Sequence, residues 1–250
     1  MKPLLILMAL RAGWILSIPL LMLMLPQALY VKRTTKRLME ATGPRYGKTL
    51  GKGPGIRLLH VGESTVAGVG VSDMQQGFTA NLASSMNQSS QQQIHWQVLG
   101  VNGIKIGELL NQLQQETLNE CDIALVTMGV NDTTKLTSLN KWREQIRLTI
   151  NQLLTLTQGP IIFTQVPAMA QFPALPAPLK YLLGLRAKLL DVELQRVCKN
   201  HNRAHYVSSK PSIEPHLMAE DGYHPSEQGY QEWANSIGPS ILQHYSQHKP

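Results

Sequence analysis

The chain has 250 residues, of which 43% are apolar and only 16% charged, a balance that excludes a disordered chain. Its two cysteines exclude a disulfide scaffold and a cysteine-based zinc ribbon. The net charge of +7 raises nucleic-acid binding, but up to His60 there are ten basic residues and one acid, Glu40, whereas the remainder holds 13 basic and 15 acidic residues. A charge confined to one end argues against a basic face spread over a fold, so no nucleic-acid partner is expected.

In chain order, the first feature is an uncharged apolar run of 20 residues, 12–31 (AGWILSIPLLMLMLPQALYV). Its length matches the roughly 20 residues that a helix needs to cross a hydrocarbon core. Trp14 and Tyr30 stand near its two ends, where amphipathic rings favour the membrane interface. Pro19 and Pro26 interrupt the pattern, as membrane helices tolerate. A cleaved signal peptide, with Lys2 and Arg11 as its basic start, is the competing reading. Pro26-Gln27-Ala28 is a poor cleavage site, so residues 1–31 read as an anchor. Residues 32–55 read as a basic linker punctuated by Gly43-Pro44, Gly47, Gly51 and Gly53-Pro54-Gly55. Lys32, Arg33, Lys36 and Arg37 crowd the C-terminal side of the apolar run, and only Lys2 and Arg11 precede it. This bias places the following domain on the cytoplasmic side, with periplasmic or secreted exposure as the alternative. The same cluster would attract anionic headgroups.

From Ile56 onward the chain reads as one globular domain, 56–250. Short apolar runs bounded by turn residues recur at 56–61, 94–99, 123–128, 161–166 and, more weakly, 205–207, as buried strands do. Helical-period segments cover 78–86, 106–118, 139–156, 179–199 and 227–245. Leu182, Leu185, Leu189, Leu190 and Leu194 form a stripe at helical spacing that reads as core-facing. The alternation predicts a three-layer α/β/α domain around a mostly parallel five-stranded sheet, whose strand C-termini gather at one ligand-binding edge. The segment 167–178 carries four prolines, which resist regular structure. The apolar residues around it read equally as an acyl-pocket wall, a lid or packing against the sheet.

Four short motifs fall at the predicted edge: Gly62-Glu63-Ser64-Thr65, Gly100-Val101-Asn102-Gly103, Gly129-Val130-Asn131-Asp132 and Asp221-Gly222-Tyr223-His224-Pro225. A serine just beyond a buried strand projects its hydroxyl among backbone N–H groups, and glycine permits close backbone approach to a ligand. A histidine with a nearby aspartate supplies general-base chemistry. Each motif alone reads as an ordinary turn or cap. Together at one edge they read as a site. Cys121 and Cys198 read as buried apolar residues, His201 and His205 as a solvated pair, and Glu63 and Asp132 as turn braces.

In this order and spacing the motifs resemble the SGNH hydrolases, or GDSL-type esterases, over about residues 56–245. Gly62-Glu63-Ser64 is similar to the family's first block, extended by VGESTVAGVGV at 61–71. Gly103 is similar to the second-block glycine, Asn131 to the third-block asparagine, and DGYHP at 221–225 to the last block. The resemblance implies the flavodoxin-like SGNH hydrolase fold. It implies Ser64 as nucleophile, His224 as general base and Asp221 as its orienting partner. The oxyanion hole would comprise the N–H groups of Ser64 and Gly103 and the Asn131 side chain. The activity implied is hydrolysis of carboxylic esters through an acyl-Ser64 intermediate, with no cofactor and no metal. The family ordinarily has Asp where this chain has Glu63, which lengthens the carboxylate beside the nucleophile. With an anchor, the expected substrate is a small or lipid-derived, lysophospholipase-like ester. An O-acyltransferase using the same site and a noncatalytic membrane-tethered binding module are the alternatives.

Overall fold

The computed structural model describes residues 2–209 and 213–248, so 210–212 and 249–250 of the expected domain lie outside the described residues. The elements are α1 (Lys2–Leu23), α2 (Leu25–Thr34), β1 (Tyr46–Lys48), β2 (Ile56–Gly62), α3 (Phe78–Ser90), β3 (Ile94–Gly100) and α4 (Ile106–Gln115). They continue as β4 (Ile123–Thr127), α5 (Val130–Thr134), α6 (Leu139–Leu153), β5 (Ile161–Thr164), α7 (Leu179–Lys199), β6 (Ala204–Val207) and α8 (Glu227–Gln247).

The sheet runs in the order β1-β3-β2-β4-β5-β6. All neighbours are parallel except β1, which lies antiparallel on β3. The five expected strands are present, and β1 is a sixth, built from residues expected to be linker. Tyr-Gly-Lys is too short and too polar to announce a strand, and its pairing comes from β3. One core packs α4, α6 and α7 against the sheet around Leu59, Val126, Trp142 and Leu190. The other packs α3 and α8 around Leu58, Phe78, Leu82 and Trp233. The result is a three-layer α/β/α sandwich with β2 and β4 in the middle.

The N-terminal apolar helix begins earlier than the uncharged run, at Lys2, and breaks at Met24. Pro19 lies inside α1, and Pro26 falls in the first turn of α2, where a missing N–H is harmless. The stretch Leu5–Leu23 has a mean hydropathy of 2.0, a length and composition that suit a membrane anchor or a signal sequence alike. Helix α1 lies along α7, and α2 reaches its N-terminal end. Arg11 pairs with the buried Glu193, Trp14 sits under the Arg186 guanidinium at 5.0 Å, and Gln27 bonds Ala177 O at 2.9 Å and Leu179 N at 3.2 Å.

One buried titratable group stands in the central strand β2. His60 is fully buried, with Nδ1 2.7 Å from Thr79 Oγ1 and Nε2 2.9 Å from Thr127 Oγ1. Burial pushes its pKa from 6.5 down to about 3, so the fold holds it neutral while the unfolded chain protonates it near 6.5. The unfolded state therefore binds more protons below pH 6.5, and stability present above that pH is lost as pH falls towards 3. The slope is at most about 1.4 kcal/mol per pH unit. Thermal melts between neutral and mildly acid pH are expected to show a shallower loss of Tm for His60→Gln than for the wild type; equal slopes contradict this reading.

Candidate active site

Strand β2 ends at Gly62, and the chain turns at once. Val66 and Ala67 donate their N–H groups to Glu63 O, and Val69 donates to Ser64 O. The turn presents Ser64 at the C-terminal edge of the sheet, 6% exposed. Tyr230 of α8, fully buried, donates its hydroxyl to Val69 O at 2.6 Å and ties this turn to the helix that follows the histidine loop.

That loop is closed by Ser226 N–H to Leu217 O at 2.9 Å and Ala219 N–H to His224 O at 2.8 Å. Within it Asp221 Oδ1 accepts the N–H groups of Tyr223 (2.9 Å) and His224 (3.0 Å), which fixes the carboxylate. Asp221 Oδ2 lies 2.6 Å from His224 Nδ1, and His224 Nε2 lies 2.8 Å from Ser64 Oγ. Burial alone would raise the Asp221 pKa, but the bonds from His224 and the two amides outweigh it and hold the carboxyl below its ordinary value. Asp221, His224 and Ser64 thus form one continuous hydrogen-bonded chain from segments far apart in sequence.

The other two predicted residues arrive from neighbouring turns. Gly129, between β4 and α5, has φ +131°, and a Cβ there would stand 2.8 Å from Val166 Cγ2, so glycine is required for the turn. Beyond it, the buried Glu63 carboxylate accepts from Val130 N (2.9 Å), Asn131 N (3.0 Å) and Asn131 Nδ2 (2.6 Å). Burial still pushes Glu63 from 4.5 up to about 7, against those donors. The Asn131 amide nitrogen carries two hydrogens, and Glu63 takes one, leaving the other for a ligand. Gly103, with φ +82°, is held from two sides. Buried Asp132 accepts Ile106 N at 2.9 Å just downstream, and Lys135 Nζ donates to Gly103 O at 2.6 Å. Among the described residues the N–H groups of Ser64 and Gly103 have no protein acceptor. Glu63 and Asp132 are both braces, as expected of them.

Reasoning from sequence missed the part played by residues 40–48. Ala41 N–H bonds Ala67 O, and Thr42 bonds Ser72 and Met74 through its backbone, which buttresses the serine turn. Glu40 Oε1 accepts Asn102 N at 2.7 Å, while Arg45 spans Glu40 (2.6 Å) and Gly100 O (2.7 Å). Residues 40–48 therefore pack against the turns that carry the candidate site rather than forming a free linker. The available signal was Glu40 itself, the only acid among ten basic residues before His60.

Other sequence candidates fall away from this edge. Cys121 and Cys198 are buried, and burial pushes their thiols up to about 11 and about 12. His205 is not half of a solvated pair: its ring stacks on His244 at 4.5 Å and meets His248 edge-on at 4.5 Å, an arrangement that needs the C-terminus of α8 beside β6. Val166, Met169, Phe172, Leu175 and Leu179 pack into the core. A concavity of about 760 Å3 opens at the other end of the strands, beside Arg57, His95 and Trp96, away from Ser64. Among the described residues no three His, Cys, Asp or Glu side chains group to hold a metal.

Residues 60–232 match the family model described as GDSL-like lipase/acylhydrolase. The chain belongs to that family and is an SGNH-type serine hydrolase, which sets aside the noncatalytic alternative. Similar solved structures include the lipase/acylhydrolase from Enterococcus faecalis, at 18% identity and TM-score 0.57, covering 78% of this chain and 98% of that one. The psychrotrophic esterase EstA from Pseudoalteromonas sp. aligns at 15% identity and TM-score 0.57, covering 76% and 98%. A lipolytic G-D-S-L family member from Veillonella parvula aligns at 14% and 0.57, covering 75% and 98%. At these identities the likeness is one of fold. No curated protein matches the sequence.

The clamp of Glu40 and Arg45 on the Gly100–Gly103 turn predicts a kinetic effect remote from the serine. Both side chains are partly exposed, so about 1 kcal/mol is at stake, or roughly fivefold in turnover. Glu40→Gln is expected to lower kcat by that amount on a simple ester with little change in KM; an unaltered kcat contradicts the clamp.

Proposed function

We propose that the protein hydrolyses carboxylic esters with Ser64 as nucleophile, His224 as general base and Asp221 as the group that orients it. The observation that carries this reading is the unbroken chain from Asp221 Oδ2 through the His224 ring to Ser64 Oγ, at 2.6 and 2.8 Å. Asp221, held ionised, keeps the proton of the ring on Nδ1 and leaves Nε2 free to accept from Ser64. Ser64 Oγ attacks the ester carbonyl as its proton passes to Nε2. The resulting oxyanion takes hydrogen bonds from Ser64 N–H, Gly103 N–H and the free Asn131 amide hydrogen. Collapse expels the alcohol, which takes the proton back from His224. A water molecule, deprotonated by the same nitrogen, then releases the acid and regenerates Ser64. An alcohol in place of that water would make the enzyme an O-acyltransferase, and product analysis with an added acceptor reads the partition.

Membrane association of the N-terminal helices, with the charge bias favouring the cytoplasmic face, makes a lipid-derived ester the favoured substrate. A structure of the Pseudoalteromonas esterase is described as inhibited by monoethylphosphonate, and the same chemistry offers a probe here. A fluorophosphonate is expected to label the wild type and to fail on folded Ser64→Ala, with His224→Ala labelled far more slowly. Labelling that persists in Ser64→Ala contradicts the assignment. Asn131→Ala is expected to lose about 2.7–4 kcal/mol of transition-state stabilisation, or roughly 100- to 1000-fold in kcat, with KM changing less. Wild-type turnover in that variant removes Asn131 from the oxyanion hole.

A further inference from the structure

We infer that α1 and α2 lie along the surface of an anionic membrane leaflet while docked on α7, and do not cross the bilayer. The inference extends the membrane association proposed above and does not depend on the catalytic assignment.

The argument begins with what α1 touches. Arg11 meets Glu193, a Cβ at Gly13 would stand 3.8 Å from Leu185 Cδ2, and the Trp14 ring lies 5.0 Å from the Arg186 guanidinium. Gln27 of α2 reaches Ala177 and Leu179. Arg11 to Trp14 of α1 meet Leu185 to Glu193, and Gln27 of α2 meets the N-terminal end, so α1 packs antiparallel along α7 and α2 touches its first residue. Leu7 and Ser17 are buried by this contact, and Val31 joins the main core. A 22-residue helix is about 33 Å long, enough to span a hydrocarbon core. If α1 crossed a bilayer in this arrangement, α7 would cross beside it. Lys188 and Arg196, whose side chains are about half exposed, and the exposed Lys199 would then enter hydrocarbon, where charged groups are strongly disfavoured.

The opposite face of α1 and α2 fixes the partner. Leu16, Met22, Leu23, Leu29 and Tyr30 are each more than half exposed. Lys32, Arg33, Lys36 and Arg37 follow immediately. α1 is apolar on all sides rather than amphipathic, so the cations that follow it point to the partner: clustered Lys and Arg beside exposed apolar side chains are drawn to the headgroup boundary of an anionic leaflet. The catalytic loop stands close by. Lys36 pairs with Glu220 at 2.7 Å, next to Asp221. The proline-rich segment between α2 and that loop contacts both: Ala177 bonds Gln27, Ala174 N–H bonds Gly222 O at 3.3 Å, and Phe172 meets the Tyr223 ring edge-on at 5.7 Å. A leaflet under α2 therefore lies beside the wall of the site. This geometry points to esters of membrane lipids drawn from that leaflet.

The test uses the full chain carrying distinct N- and C-terminal tags, in sealed membranes exposed to protease from one side. Both tags are expected to share one fate. In parallel, Gly13→Cys with Leu185→Cys is expected to cross-link when bound to vesicles containing phosphatidylglycerol, each single variant serving as control. Native Cys121 and Cys198, at 5% and 3% exposure, remain silent. Binding to those vesicles is expected to exceed binding to neutral phosphatidylcholine vesicles several-fold. Tags on opposite sides, loss of the cross-link on membrane binding, equal binding to both vesicles, or a mature chain lacking α1 would each overturn the inference. None of these readouts involves turnover, so their failure leaves the Ser64 assignment standing.

Discussion

The site depends on one buried carboxylate. Strands β2 and β4 lie side by side with Gly62 opposite Thr127, so the turns that leave them emerge together. Glu63 spans the gap and collects three N–H donors from Val130 and Asn131. A buried carboxylate without such partners would be strongly destabilising. Satisfied in this way, it locks the serine turn to the asparagine turn and aims the Asn131 amide. Glutamate, with its extra methylene, performs the bridging here. Glu63 adjoins the candidate nucleophile in sequence, so any displacement of its carboxylate reaches Ser64 and Asn131 together.

Around that bond the remaining pieces are fixed by short contacts between distant segments. Asp132 carries the same turn to the start of α4 and so to Gly103. Tyr230 carries the serine turn to α8 and so to the histidine loop. Glu40 and Arg45 close the outer side. The rigid element is the sheet; the functional groups are loops pinned to it by buried polar bonds. The N-terminal helices join this network through the Lys36–Glu220 pair and the proline-rich segment, which connects them physically to the histidine loop.

Much of this was legible in the sequence for specific reasons. Parallel strands buried on both faces read as apolar runs, so β2, β4 and β5 stand out between glycine-containing turns, and β3 shows by its alternation of Ile94, Trp96 and Val98. Asp221 and His224 share one loop, so their relation survives in local spacing. The unread features depend on partners distant in sequence. Strand β1 has no apolar signature and exists because β3 offers an edge. Arg11 reads as the boundary of the apolar run, yet its charge is answered by Glu193, 182 residues away, and the helix runs through it. Glu40 and Arg45 looked like linker because their partners, Asn102 N–H and Gly100 O, lie far along the chain. The His205 cluster requires the end of α8 to return beside β6.

The claim that Glu63 acts by holding Asn131 is tested most directly by a double-mutant cycle on kcat/KM. Measured above the Glu63 pKa of about 7, where the carboxyl is ionised, Glu63→Gln replaces one acceptor oxygen with a donor facing N–H groups, a loss of about 1.5–3 kcal/mol for a charged hydrogen bond, or roughly 10- to 150-fold in rate. In the Asn131→Ala background the same substitution is expected to cost clearly less than in the wild type, because the Asn131 Nδ2 bond is already gone while the Val130 and Asn131 backbone bonds remain. Losses that simply add would show that Glu63 and Asn131 act independently and would contradict the account.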